Sequence, residues 1–90
     1  MKSVYRFTFP KKTRRSLIEQ AVADAIYTIE CIHGPSRVRL GAGYYMARGK
    51  PQCVIDTSTE VGQQIVQVFA GLMTRELGED GFEVRRVEGD

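Results

Sequence analysis

Residues 3–9, SVYRFTF, alternate in character: Tyr5, Phe7 and Phe9 fall on one side, Val4, Arg6 and Thr8 on the other. Period two predicts a half-buried strand. Pro10 ends it, because proline has no N–H to give to a ladder. From residue 14 to residue 32 the period becomes helical. Leu17, Ile18, Ala21, Val22, Ala25, Ile26 and Ile29 form one stripe, with Glu19, Gln20, Asp24 and Glu30 largely off it. Thr13 suits an N-cap, and Ser16 with Glu19 has capping-box spacing. His33-Gly34-Pro35 predicts the stop: glycine takes a left-handed C-terminal position and proline forbids continuation. His33 then belongs to the last helical turn, where positive charge is favoured.

Residues 36–47 return to period two. Val38, Leu40, Ala42, Tyr44 and Met46 share one side; Arg37, Arg39, Gly41, Gly43 and Tyr45 share the other. The tetrapeptide Arg48-Gly49-Lys50-Pro51 reads as a hairpin loop, and residues 52–56, QCVID, as the return strand. A second helix opens at Thr57, which has capping-box spacing to Glu60. It carries the stripe Val61, Ile65, Val68, Phe69, Leu72 and Met73. Gly78 stops it, and residues 82–87, FEVRRV, alternate once more. The segment Gly41-Ala42-Gly43 invites comparison with a phosphate-binding loop. Such a loop lies between a strand and a helix that begins directly afterwards. Here the glycines fall inside a strand pattern, so the expectation is a bulge or kink, with a shallow groove beside Tyr45 where side chains are missing.

The element order is therefore β-α-β-β-α-β in a single domain spanning residues 1–90. That order predicts an α+β protein with the ferredoxin-like βαββαβ two-layer sandwich: a four-stranded antiparallel sheet with two helices on one face. The expected core is Tyr5, Phe7, Phe9, Val38, Leu40, Cys53, Ile55, Phe82 and Val84 beneath the two helical stripes. This architecture hosts many unrelated activities, so function has to be argued from side chains.

Composition narrows the choice. Apolar residues make up 42% and charged residues 27% of the chain, the balance of a folded globular domain. No apolar run approaches the length of a membrane span, and residues 1–15 lack the uninterrupted apolar stretch of a signal peptide. A cytoplasmic protein without a membrane role is expected. Cys31 and Cys53 are too few and too far apart for a disulfide framework, and both are expected as buried free thiols. One histidine and two cysteines supply no transition-metal set, and no cofactor motif is present.

Charge is distributed unevenly: ten cations to three anions over residues 1–50, and three to eight over residues 51–90. Two candidate surfaces follow. The sheet face turned away from the helices would show Arg6, Thr8, Arg37, Arg39, Tyr45, Glu83 and Arg85. Its arginines could hold anions, but it lacks the aromatic platforms on which an RNA-binding sheet stacks bases. The cluster Lys11, Lys12, Arg14 and Arg15 opens the first helix, where the macrodipole disfavours cations and a bound anion would relieve them. The segment 56–60, DTSTE, is explained by helix capping. Asp56 with Tyr44 or Tyr45 is the one pair that a hairpin could assemble for acid–base work. No set of nucleophile, base and orienting group is visible. The expected function is a non-catalytic binding or assembly module. It would act as a homodimer or in a larger complex, through the open sheet face or a strand edge. Anion or nucleic-acid binding through the arginines is the alternative, and a small enzyme the second alternative.

Overall fold

The computed structural model describes residues 2–89, with side chains over residues 3–88. Seven elements follow one another: β1 (Lys2–Thr8), α1 (Arg15–His33), α2 (Pro35–Gly41), β2 (Tyr44–Met46), β3 (Gln52–Asp56), α3 (Glu60–Leu77) and β4 (Glu83–Gly89). The four strands make one antiparallel sheet in the order β2-β3-β1-β4. β3 lies between β1 and β2, and β1 lies between β3 and β4. The strands joined through each long helix are thus never neighbours.

Alternation in β1 sets the two faces. Phe7 and Phe9 are buried, whereas Arg6 is half-buried and Thr8 exposed. Phe7 sits opposite Cys53, and Tyr5 opposite Ile55. These side chains meet Ile18, Val22, Ala25 and Ile29 of α1 and Val61, Ile65, Phe69 and Met73 of α3 in one core. All four phenylalanines gather here. Phe69 stands edge-on to Phe7 at 4.7 Å and to Phe9 at 6.3 Å, and Phe82 lies 5.7 Å from Phe9. Each edge-on pair adds about 0.5–1.5 kcal/mol to the area it buries. Cys53 is sealed in this core, and burial pushes its thiol from 9.0 up to about 12.

Both long helices end as their sequences predict. Gly34 and Gly78 have φ of 89° and 84°, backbone that other residues rarely adopt. Their N–H groups reach back to Glu30 and Thr74. The starts differ from expectation. α1 has Arg14 at its N-cap with no side-chain cap, so neither Thr13 nor Ser16 serves. α3 is capped by Thr59, whose hydroxyl accepts the Gly62 N–H at 3.0 Å. Thr57 is instead buried and donates its hydroxyl to the Ser3 carbonyl at 3.0 Å, fastening the end of β3 to β1.

The largest departure is residues 36–47. In place of one long strand there is a short helix, α2, followed by a three-residue strand. Pro35 is pre-set for the first helical turn and follows the sharp bend at Gly34, so the chain restarts as a helix. Val38 is buried and Ala42 packs against the core, a spacing of four that places both on one helical face. Leu40 points away and is 89% exposed, so it is not a core residue. Val84 is also outside the core at 46% exposed, and Cys31 is exposed on α1. Among the described residues the helices number three, not two.

Candidate functional site: the open sheet face and its free edge

Opposite residues of an antiparallel pair share a face, so the register gives the composition of the side turned away from the core. One row across it reads Arg85, Arg6, Val54 and Tyr45. A second reads Val87, Val4 and Asp56, and a third Glu83, Thr8 and Gln52. The Gln52 amide donates to the Thr8 hydroxyl at 3.3 Å. Tyr45 is 61% exposed.

The central feature is the direct opposition of Arg6 and Arg85. Like charges on directly opposed strand positions repel. No ion pair or side-chain hydrogen bond among the described residues relieves either guanidinium, and none engages Glu83. A depression lined by Arg6, Thr8, Glu83, Val84 and Arg85 lies at this place. A second depression, lined by Val4, Gly43, Tyr44, Tyr45, Val54 and Asp56, lies near the β2 edge.

Arg6, Arg85 and Tyr45 therefore share the open face, as their alternation predicts. Arg37 and Arg39 do not reach it, because residues 35–41 are helical. Arg37 lies 3.6 Å from Glu60, tying α2 to the start of α3, and Arg39 is exposed in the last turn of α2. The basic cluster also divides. Arg15 bonds Glu19 and the Ala47 carbonyl, each at 3.0 Å, and so anchors α1 to the β2–β3 loop. Lys12 and Arg14 border a depression that also holds Glu76 and Asp80, so acids stand beside them. Lys11 is exposed in the loop before α1.

Of the two glycines in residues 41–43, Gly41 serves packing. Neither has positive φ, so no bulge demands them. Gly41 ends α2 against α3: a Cβ there would lie 3.2 Å from Val61 Cβ, and the Thr59 hydroxyl donates to the Gly41 carbonyl. Gly43 lies beside Asp56, where a Cβ would make ordinary contact at 3.5 Å. Gly43 and Tyr45 both line the depression near the β2 edge, whereas Gly41 lies away from it, against α3.

Three arrangements are not apparent from periodicity. His33 Nε2 donates to Gln64 Oε1 at 2.6 Å, joining the end of α1 to α3. A polar cleft between β1, β4 and α3 is lined by Ser3, Tyr5, Thr57, Gln63, Arg86 and Glu88, with Arg86 Nε 3.3 Å from the Ser3 hydroxyl. Strand alternation puts Ser3 and Tyr5 on one side, but only the register adds Arg86. The third arrangement is the free outer edge of β4, a seven-residue strand paired with β1 alone. Among the described residues, no group of three His, Cys, Asp or Glu side chains could hold a metal ion. No described helix is long and apolar enough to cross a membrane. No protein-family model matches the chain, and no curated protein matches it.

Proposed function

We propose that this chain is a small non-catalytic assembly module that associates with its own copy through surfaces its single helical layer leaves uncovered. The observation that carries the reading is the sheet itself: helices cover one face, the other face is open, and β4 keeps an unpaired edge. An edge of this length is a template for another strand. The open face mixes valines, a tyrosine and charges of both signs, a composition suited to contact between proteins. Among the described residues it carries no histidine, cysteine or serine to act as base or nucleophile. The strand order, with each βαβ unit split by an inserted strand, supports a ferredoxin-like architecture that gains α2 between its first helix and second strand. A cytoplasmic setting suits two free thiols, Cys53 buried and Cys31 exposed.

Sedimentation of the purified chain tests the reading. A dimer is expected at roughly tens of micromolar. A strict monomer at about 1 mM overturns it.

The Arg6–Arg85 opposition favours a second reading, in which the open face holds an anion such as a nucleic-acid phosphate. Titration with single-stranded nucleic acid separates the two. Phosphate contacts require an affinity that falls steeply with salt and weakens in Arg6→Ala. Absence of binding at low salt removes this reading.

A further inference from the structure

We infer that two copies join along β4, antiparallel and centred on Val84, so that Glu83 of each copy faces Arg85 of the other. The inference rests on the self-association reading and specifies its geometry. A two-fold axis that continues a sheet stands perpendicular to it, and residues directly opposite must then share a face. The centre of the pairing therefore falls on a residue, not between two.

The charges of β4 discriminate among the centres. Centring on Glu83, Arg85, Arg86 or Glu88 brings that residue against its own copy, a like-charge contact on the axis. Val84, Val87 and Gly89 avoid this, and Gly89 is the last residue of β4, so centring there would leave the rest of the strand unpaired. Centring on Val87 would oppose Arg86 to Glu88 of the second copy, but these two already pair within one strand at 3.0 Å. Centring on Val84 opposes Glu83 to Arg85, both without an ion pair among the described residues. The axis makes that pair twice.

Three other features fit this centre. Val84 is a large apolar residue left 46% exposed, and it would meet its copy on the axis. Arg85, pressed against Arg6, would gain a carboxylate partner. The depression lined by Arg6, Thr8, Glu83, Val84 and Arg85 lies at the same place. Charges on an edge strand normally discourage pairing. Here they disfavour the charged centres, and centring on Val84 leaves residues 83–85 complementary; the ladder stops there, because residues 79–82, which would face 86–89, are turn and bend. The product joins two four-stranded sheets through residues 83–85 of each β4, with the described helices on one side.

Charge exchange tests the register. Glu83→Arg alone and Arg85→Glu alone each oppose like charges twice, so each should weaken dimerisation roughly tenfold or more. The double variant Glu83→Arg/Arg85→Glu should recover the wild-type dimer. A mixture of the two single variants should form a heterodimer, because one copy then presents only arginines and the other only glutamates. Melting curves establish that each variant is folded. If a single variant fails to fold, Val84→Cys in a Cys31→Ser background replaces it: a pair centred on Val84 lies within disulfide reach and should oxidise to a covalent dimer. A monomeric wild type overturns both the inference and the reading beneath it. A wild-type dimer unmoved by the single charge changes, or not restored by the double change, overturns this register alone and places self-association on another surface. Failure of the Val84→Cys dimer to cross-link does the same.

Discussion

Gly62 occupies a position that no other residue fits. It lies in the first turn of α3, and a Cβ built on it would stand 2.0 Å from the Asp56 carbonyl oxygen. That oxygen is backbone at the end of β3, so it has no flexible end to swing aside. Gly62→Ala should therefore cost about 3 kcal/mol or more, the upper range for forcing an atom into a packed site. A denaturant melt showing wild-type stability would refute this contact. Cys53 supplies a second test at this scale. The folded protein keeps the thiol proton up to about pH 12, whereas the unfolded chain releases it near 9.0. Alkali therefore favours the unfolded state. The contribution of this thiol is intact below pH 9 and is lost as pH rises toward 12, at about 1.4 kcal/mol per pH unit. Cys53→Val should show a shallower decline of stability above pH 9 than the wild type. Equal slopes would mean that the thiol is reached by solvent.

At the scale of elements, α2 separates what the sequence conveys from what it conceals. Val38 and Leu40 occupy equivalent positions in a strand but opposite ones in a helix. Val38→Ala should cost about 2 kcal/mol, the loss of buried methyl groups. Leu40→Ala should stay within about 0.5 kcal/mol, as an exposed position does. Equal losses measured by chemical denaturation would restore the strand. β1, α1, β3, α3 and β4 were legible because each keeps one period over its length and is bounded on at least one side by a nearby proline or glycine. Residues 36–47 kept a spurious period of two, since a seven-residue helix spans too few turns to display its own. The arginine pair on the open face followed from the alternation of β1 and β4, but its opposition did not. Pairing partners are set by register, which periodicity leaves open. Gly62 escaped notice for a similar reason: the carbonyl it must avoid belongs to a neighbouring element. Val84 was expected inside, yet β4 is an edge strand with half its surroundings missing.

The whole molecule is organised around β1. It carries Phe7 into the core, Arg6 onto the open face and a partner strand along each edge. Those partners are distant in sequence. Phe7 lies opposite Cys53 on one side and Val84 on the other, and Lys2 lies opposite Gly89. Synthesis makes β1 well before β4, so a chain emerging from the ribosome holds its central strand without this neighbour until β4 has followed. Until then the alternating aromatic run of Tyr5, Phe7 and Phe9 has no completed sheet to enter, and the early helix α1 is the segment positioned to shield it. The pairing of Lys2 with Gly89 also brings the two ends of the described chain side by side. A short covalent joint could close them into a ring, and the exposed bend at Arg48–Lys50 could be opened in exchange, with the order of strands in space preserved.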